Sequence, residues 1–417
     1  MKNNHAHLFL LLYLLATFSC RQAQSDKGQL GSSVNETFDP TADYFPDKAT
    51  FEFARHVEVE YHGHYKVVKT SSVLASWSGG ESKQQNDVMV LVQRGTPAPE
   101  LKDGLAGAEV IQIPVERVAL NVVNAESFLQ NLELTKYIVA IGGLGSYQDT
   151  LRDAALTGKL GQVGYSWHQP PQMEVLLERR PDVFLMQLSN LDYQQHLRKC
   201  REMGIPTATV FEWAEEHYLG RAEWIKYFSL FFNEEAKANE VFDEVKQGVD
   251  ILKQLVQTSS GQPTAIWGYY AGKDRWWLNT NNIEAQLLQD AGITNVFENK
   301  KISTAEEGQE SVSSETLLQK GREAEHWIIG DIHSVALPPE NFMQSFNAWK
   351  KNKLYHNMKR SKMEVNAFDW YGTAIVRPDW VLADLVGLIH PELLPGHSPR
   401  FLDTFEKNTV LPILRDN

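Results

Sequence analysis

Several stretches bring together residue types that could do chemistry. His62-Gly63-His64 sets two imidazoles about a glycine, and Gly142-Gly143-Leu144-Gly145 follows an apolar run, as phosphate-cradling loops do. Gly164-Tyr165-Ser166-Trp167-His168 approximates a turn that presents a serine nucleophile. Spacing removes most of these. The histidine pair has no cysteine or carboxylate beside it to complete a zinc set, so a turn between strands is expected. A dinucleotide fingerprint starting at Gly143 requires glycine at position 148, where Gln148 stands. A nucleophile elbow requires glycine where His168 stands. His168 and His333 could approach one another, but no third ligand is placed to complete a metal site. No catalytic residue, metal or cofactor is expected.

Cys20 and Cys200 are the only cysteines. Lys2 and the apolar run Leu8 to Ala16, too short to span a bilayer, suit an export signal. The run ends at Thr17-Phe18-Ser19-Cys20, which is similar to the lipobox of bacterial lipoproteins, although Thr17 departs from the larger apolar residue usual there. Cys20 is therefore the expected lipidated N-terminus after cleavage, and an ordinary secretory signal is the alternative. Cys200 then has no partner and is expected as a buried helix residue. The exported body would be held at a cell membrane, on the periplasmic side if there are two membranes.

The elements that must position any site come next. A chain of 417 residues is longer than one core usually grows, so two domains are expected. The formal charge of −13, without clustered Lys and Arg, argues against nucleic acid. Strand alternation is expected over residues 51–70 and in Val88 to Val92, with a loop from Arg94 to Gly107. From Pro114 short strands alternate with helices, which predicts mainly parallel sheets covered on both faces. Residues 220–257 contain no proline, and their apolar residues recur at helical spacing, among them Val241, Phe242, Val245, Val249 and Leu252. A short helix ends near Phe232. A longer one follows from Glu234, with Asn233 as its expected N-cap, and would span roughly 36 Å. After it the strand-helix alternation restarts, with a strand at Met363 to Phe368 and a helix from Pro378 to about Leu388. Glu-x-Leu-Leu opens a helix before an apolar strand twice, at Glu174 and at Glu315.

The chain now resembles the substrate-binding proteins of ABC importers for iron-siderophore, cobalamin and haem uptake, the class III periplasmic binding proteins. The segments that carry the resemblance are PVERVALNVVNAESFL with IVAIGG, QVGYSWHQPPQMEVLLERRPDVFLM, WWLNTNNIEAQLLQDAGITNVF, ESVSSETLLQKGREAEHWII and VNAFDWYGTAIVRPDWVLADLVGLIHPELLPGH. It implies an α/β fold of two Rossmann-like lobes with mainly parallel sheets, joined by a long inter-lobe helix. The expected division is a signal peptide at 1–19, a tether at 20–37 and a strand-rich extension at 38–113. An N-terminal lobe at 114–215, connecting helices at 216–258, a C-terminal lobe at 259–400 and a tail at 401–417 complete it.

By resemblance, Glu174 and Glu315 are the exposed glutamates, one per lobe, that dock onto the permease. The ligand is expected in the cleft between lobes, at loops that carry Tyr147, Tyr165, Trp167, His168, Tyr269, Tyr270, Arg275, Trp276, Trp277, Trp370, Tyr371 and Arg377. Aromatic rings suit a large, partly flat metal-organic ligand, with Arg275 or Arg377 meeting an anionic edge. The expected function is capture of a ferric-siderophore and delivery to an ABC permease and its ATPase, by a monomer. Cobalamin or haem is the alternative within the class, and an α/β enzyme acting in the cleft the alternative outside it. A helical tie implies lobe movements of only a few ångströms, on the order of shear-type shifts.

Overall fold

Alternating residues from Val57 build a hairpin of strands β1 (Val57–His62) and β2 (Tyr65–Ala75), turning at Gly63 and His64 as expected. The computed structural model describes residues 38–76, 79–166, 168–299, 308–330 and 339–405. The expected signal segment, the tether, Cys20, Trp167, His333 and residues 406–417 lie outside the described residues.

Strand β3 (Ser82–Gln93) pairs antiparallel with β2 along its whole length, and β4 (Glu109–Ile113) pairs parallel with β3. Only the apolar half of β3 has strand character in sequence. Its polar half, Ser82 to Asp87, is held extended by the pairing with β2. Residues 51–56, expected as strand, are irregular. The backbone N–H groups of residues 52–56 go to two buried carboxylates instead of a ladder. Glu223 accepts from Glu52, Phe53 and Ala54, and Glu215 accepts from Arg55 and His56.

The second sheet has five parallel strands in the order β7-β6-β5-β8-β9. They are β5 (Val118–Leu120), β6 (Ile138–Ile141), β7 (Gly161–Gln162), β8 (Val183–Gln187) and β9 (Thr207–Val210). Helices Val123–Asn131, Asp149–Leu156, Met173–Arg179 and Gln194–Glu202 connect them. Cys200 is buried in the last of these, where burial pushes its thiol up to about 11.

Helix Tyr218–Leu230 is buried at every residue except Arg221, so it is core rather than surface. Helix Glu235–Val256 follows, burying the expected stripe of Val241, Phe242, Val245, Val249 and Leu252. Asn233 is not its cap. It takes a left-handed φ of 58° in the turn between the helices, accepting from Lys66 and donating to Gln93. Gly248 lets the helix Pro378–Ile389 approach closely, since a Cβ there would lie 3.1 Å from that of Asp379.

The third sheet centres on β10 (Thr264–Tyr270), which pairs parallel with β12 (Thr294–Asn295) and β14 (His326–Ile329). Strand β15 (Leu354–His356) extends it in parallel. Strands β11 (Arg275–Asn279) and β13 (Gln309–Ser313) on one side, and the short strand Asp403–Thr404 on the other, are antiparallel edges. The expected strand Met363 to Phe368 is instead a 3-10 turn, Met363–Val365, left-handed Asn366 and a two-residue strand. One hydrophobic core runs from Phe45 to Leu402 through both connecting helices, and a second fills the C-terminal lobe around Trp276 and Trp327. Trp370 packs against both.

Candidate functional site

The five parallel strands end on one edge, and the loops leaving their carboxyl ends form one wall of a cleft of about 880 Å³. Val122 to Asn124 follow β5, Gly142 to Gly145 follow β6, Tyr165, His168 and Gln169 follow β7, Gln187 ends β8, and Glu212 with Trp213 follow β9. Asn366, Phe368, Tyr371 and Ile375 supply the opposite wall, and Arg221 reaches in from helix Tyr218–Leu230. Within the glycine cluster, Gly142 permits close approach: a Cβ there would lie 3.1 Å from the backbone of Asn121.

The floor is polar and buried. Glu212 is fully buried, and its Oε1 accepts from Asn124 Nδ2 and, at 3.3 Å, from Arg221 Nη2. Burial raises the Glu212 carboxyl above the usual carboxylate range, with Arg221 opposing. Glu126, which does not line the cleft, is buried on helix Val123–Asn131 and bonded to Ser146, and burial pushes its carboxyl up to about 8. The Tyr165 hydroxyl is pushed up to about 12, by burial first and then by Glu212 and Glu126. Its ring lies 5.5 Å from that of exposed His168.

Of the residues expected to touch ligand, Tyr165, His168 and Tyr371 line this cleft. Trp370 borders an adjoining recess of about 110 Å³ that shares Tyr371 and Arg221 with it. Tyr147 faces a separate recess of about 850 Å³, under Arg360 and Lys362. The structure places the others away from this cleft, Trp167 apart. Trp276 is fully buried because strand alternation turns it into the C-terminal core, where its Nε1 donates to Ser314 at 3.0 Å. The Tyr270 ring packs 4.9 Å from that of Trp276. Tyr269, Arg275 and Trp277 lie on β10 and β11 and do not line the cleft. Arg377 forms a two-pronged pair with Asp379, covers the Trp380 ring and does not line this cleft. Trp167 is outside the described residues.

Sequence reading missed Glu212, Arg221 and Gln187. A lone carboxylate inside the apolar run Phe211-Glu212-Trp213-Ala214 and a lone amide ending Val-Phe-Leu-Met-Gln are the signals that could have found two of them. Among the described residues no cluster of three His, Cys, Asp or Glu could hold a metal ion. Glu174 and Glu315 are exposed in the first turns of helices Met173–Arg179 and Ser314–Gly321, and neither makes an ion pair among the described residues. Among those residues no helix is long and apolar enough to cross a membrane.

Residues 122–362 match the family described as periplasmic binding protein. Two uncharacterized lipoproteins of Methanocaldococcus jannaschii are similar. One is 22% identical over 64% of this chain and 62% of its own length, and the other 24% identical over 79% and 84%. The chain thus spans less than two thirds of the first relative. The crystal structure of a periplasmic heme binding protein from Pseudomonas aeruginosa shares the fold, with a TM-score of 0.50 and 16% identity over 70% of this chain and 98% of that one.

Proposed function

We propose a function from the premise that the chain belongs to the periplasmic binding protein family: it captures a metal-organic nutrient and delivers it to an ABC permease driven by an ATPase. Solute binding is the family's role. The ligand, a ferric-siderophore or alternatively cobalamin or haem, is our reading. The observation that carries it is the cleft itself, about 880 Å³ of space with Tyr165, His168, Trp213, Phe368 and Tyr371 around a polar floor. That volume is at the upper end for small-molecule sites, and aromatic walls give a bulky ligand contact area. The shared fold at 16% identity does not choose among ligands. Capture proceeds without turnover.

The same reading places Cys20 as a lipid anchor, in keeping with the lipoprotein relatives. It assigns Glu174 and Glu315 to docking, as charges standing free on rigid helices of the two lobes. Such interfacial charges report both lobe positions to a partner at once.

The test is titration of the purified protein with ferric-siderophore, cobalamin and haem, followed by quenching of its 11 tryptophans. Saturable quenching with the ligand recovered unchanged supports capture. Chemical conversion of the ligand would favour an enzyme instead.

A further inference from the structure

The cleft floor holds more buried acceptors than buried donors. Glu212 Oε2, Asn124 Oδ1 and Gln187 Oε1 are each buried without a hydrogen-bond partner, and their residues are 0%, 4% and 2% exposed. All three residues line the cleft. The Asn124 amide is oriented by its Nδ2, which donates to the Glu212 carboxylate, so its oxygen is the atom left over. Gln187 is fixed at the backbone, where its N–H donates to Asn121 Oδ1 at 2.8 Å and its C=O accepts from Asn121 Nδ2 at 3.3 Å. Two buried donors on residues lining the same cleft, Arg221 Nε and Trp213 Nε1, likewise have no hydrogen-bond partner, so the unpartnered acceptors outnumber the donors. Buried polar atoms are normally satisfied, and a group of orphans on one cleft floor marks where a ligand completes the bonding.

We propose that this floor reads hydrogen-bond donors: the ligand group seated there carries ammonium, guanidinium or carboxamide N–H bonds, and is not a carboxylate or other anion. The inference rests on the solute-capture reading and narrows it. Glu212 accepts the donor at Oε2, Asn124 and Gln187 accept beside it, and Arg221 Nε meets one acceptor atom of the same group. A ligand edge made only of carboxylates would bring lone pairs against three buried oxygens, one of them on a carboxylate, and would be rejected. The arginines expected to meet an anionic edge are elsewhere: Arg377 is paired with Asp379, and Arg275 is on β11.

The experiment titrates the wild-type protein, Glu212→Gln and Gln187→Met with three probes. Ferrioxamine B presents an ammonium group, cyanocobalamin presents carboxamides, and haem presents carboxylates. Gln187→Met keeps the side-chain shape while removing the acceptor. An ammonium- or carboxamide-bearing probe should bind the wild type, and lose roughly 10- to 100-fold in affinity in Glu212→Gln and less in Gln187→Met. Haem binding should be weaker than either in the wild type and should not fall in the variants, gaining in Glu212→Gln where the opposing charge is removed. Tightest binding of haem, undiminished in the variants, would overturn donor recognition and leave solute capture standing. Failure of all three probes to bind the wild type would overturn the metal-organic reading, and the inference with it. If Glu212→Gln does not fold, Gln187→Met decides alone, and an unchanged affinity for the donor probes overturns the proposal.

Discussion

Lys66 Nζ lies 2.5 Å from Glu235 Oε1, with both side chains buried, and the pair joins the added four-stranded sheet to the first turn of the long helix. Lys66 also donates to the carbonyl of Leu230 and to Asn233 Oδ1, so one ammonium closes the end of one helix and the start of the next. Breaking a buried pair from one side costs more than removing both charges, because the remaining charge is stranded. Lys66→Met should therefore cost about 3–5 kcal/mol in urea unfolding, and Lys66→Met with Glu235→Gln should recover much of it. A double-variant loss equal to the sum of the losses of Lys66→Met and Glu235→Gln would show that the charges are not coupled.

Glu223 holds residues 52–54 by three backbone N–H groups and pairs with buried Lys226 at 2.8 Å. Glu223→Ala should cost more than about 3 kcal/mol, since hydrogen bonds to charge are the strong ones and Lys226 loses its partner. Amide exchange at Glu52, Phe53 and Ala54 should accelerate before the rest of the fold opens. Retained protection at these amides would show that packing alone holds the segment.

Glu126 sets a pH dependence whose sign follows from burial. Its carboxyl titrates near 4.5 when unfolded and is pushed up to about 8 in the fold, so the folded chain binds the proton more tightly. The stabilising contribution is complete below about pH 4.5 and is lost as pH rises to about 8. Glu126→Gln keeps the shape without the titration. Its stability advantage over wild type should grow by up to about 1.4 kcal/mol per pH unit across that window. Parallel stability curves for the two proteins from pH 4.5 to 8 would refute the assignment.

The aromatics divide into core and cleft. Trp276 is 0% exposed and Tyr371 38% exposed. Trp276→Ala should destabilise by about 3–5 kcal/mol. Tyr371→Ala should change stability by no more than about 0.5 kcal/mol and instead weaken ligand quenching. The reverse pattern in thermal melts and titrations would exchange their roles.

Reversing the charge of both Glu174 and Glu315 should abolish uptake while ligand affinity in the purified protein is unchanged. Uptake that persists would remove the docking role.

Trp370 packs against both hydrophobic clusters and lies 6.0 Å from Trp267 ring to ring, and Lys362 is paired with Asp149 across the lobes at 2.8 Å. Crystal structures with and without ligand should then differ by only a few ångströms, on the order of a shear-type shift. A wide rotation about residues 220–257 would contradict this.

The sequence by itself determined the helix at Glu235–Val256, because its apolar stripe repeats at helical spacing. The strand-helix alternation of the two lobes and the first-turn glutamates were likewise legible, since both are local patterns. For Trp276 and Trp277, expected in a loop at the cleft, no local pattern told whether they lie in a strand or which of them meets the core. Tertiary structure decided that, as it decided that residues 52–56 give their N–H groups to Glu215 and Glu223 rather than to a neighbouring strand. It also assembled the cleft floor from Asn124, Gln187, Glu212 and Arg221, residues that follow or end different strands or sit on a buried helix. Their proximity is set by which strand ends share an edge. No pattern of neighbouring residues encodes it, because the hydrogen bonds involved join positions far apart in the chain.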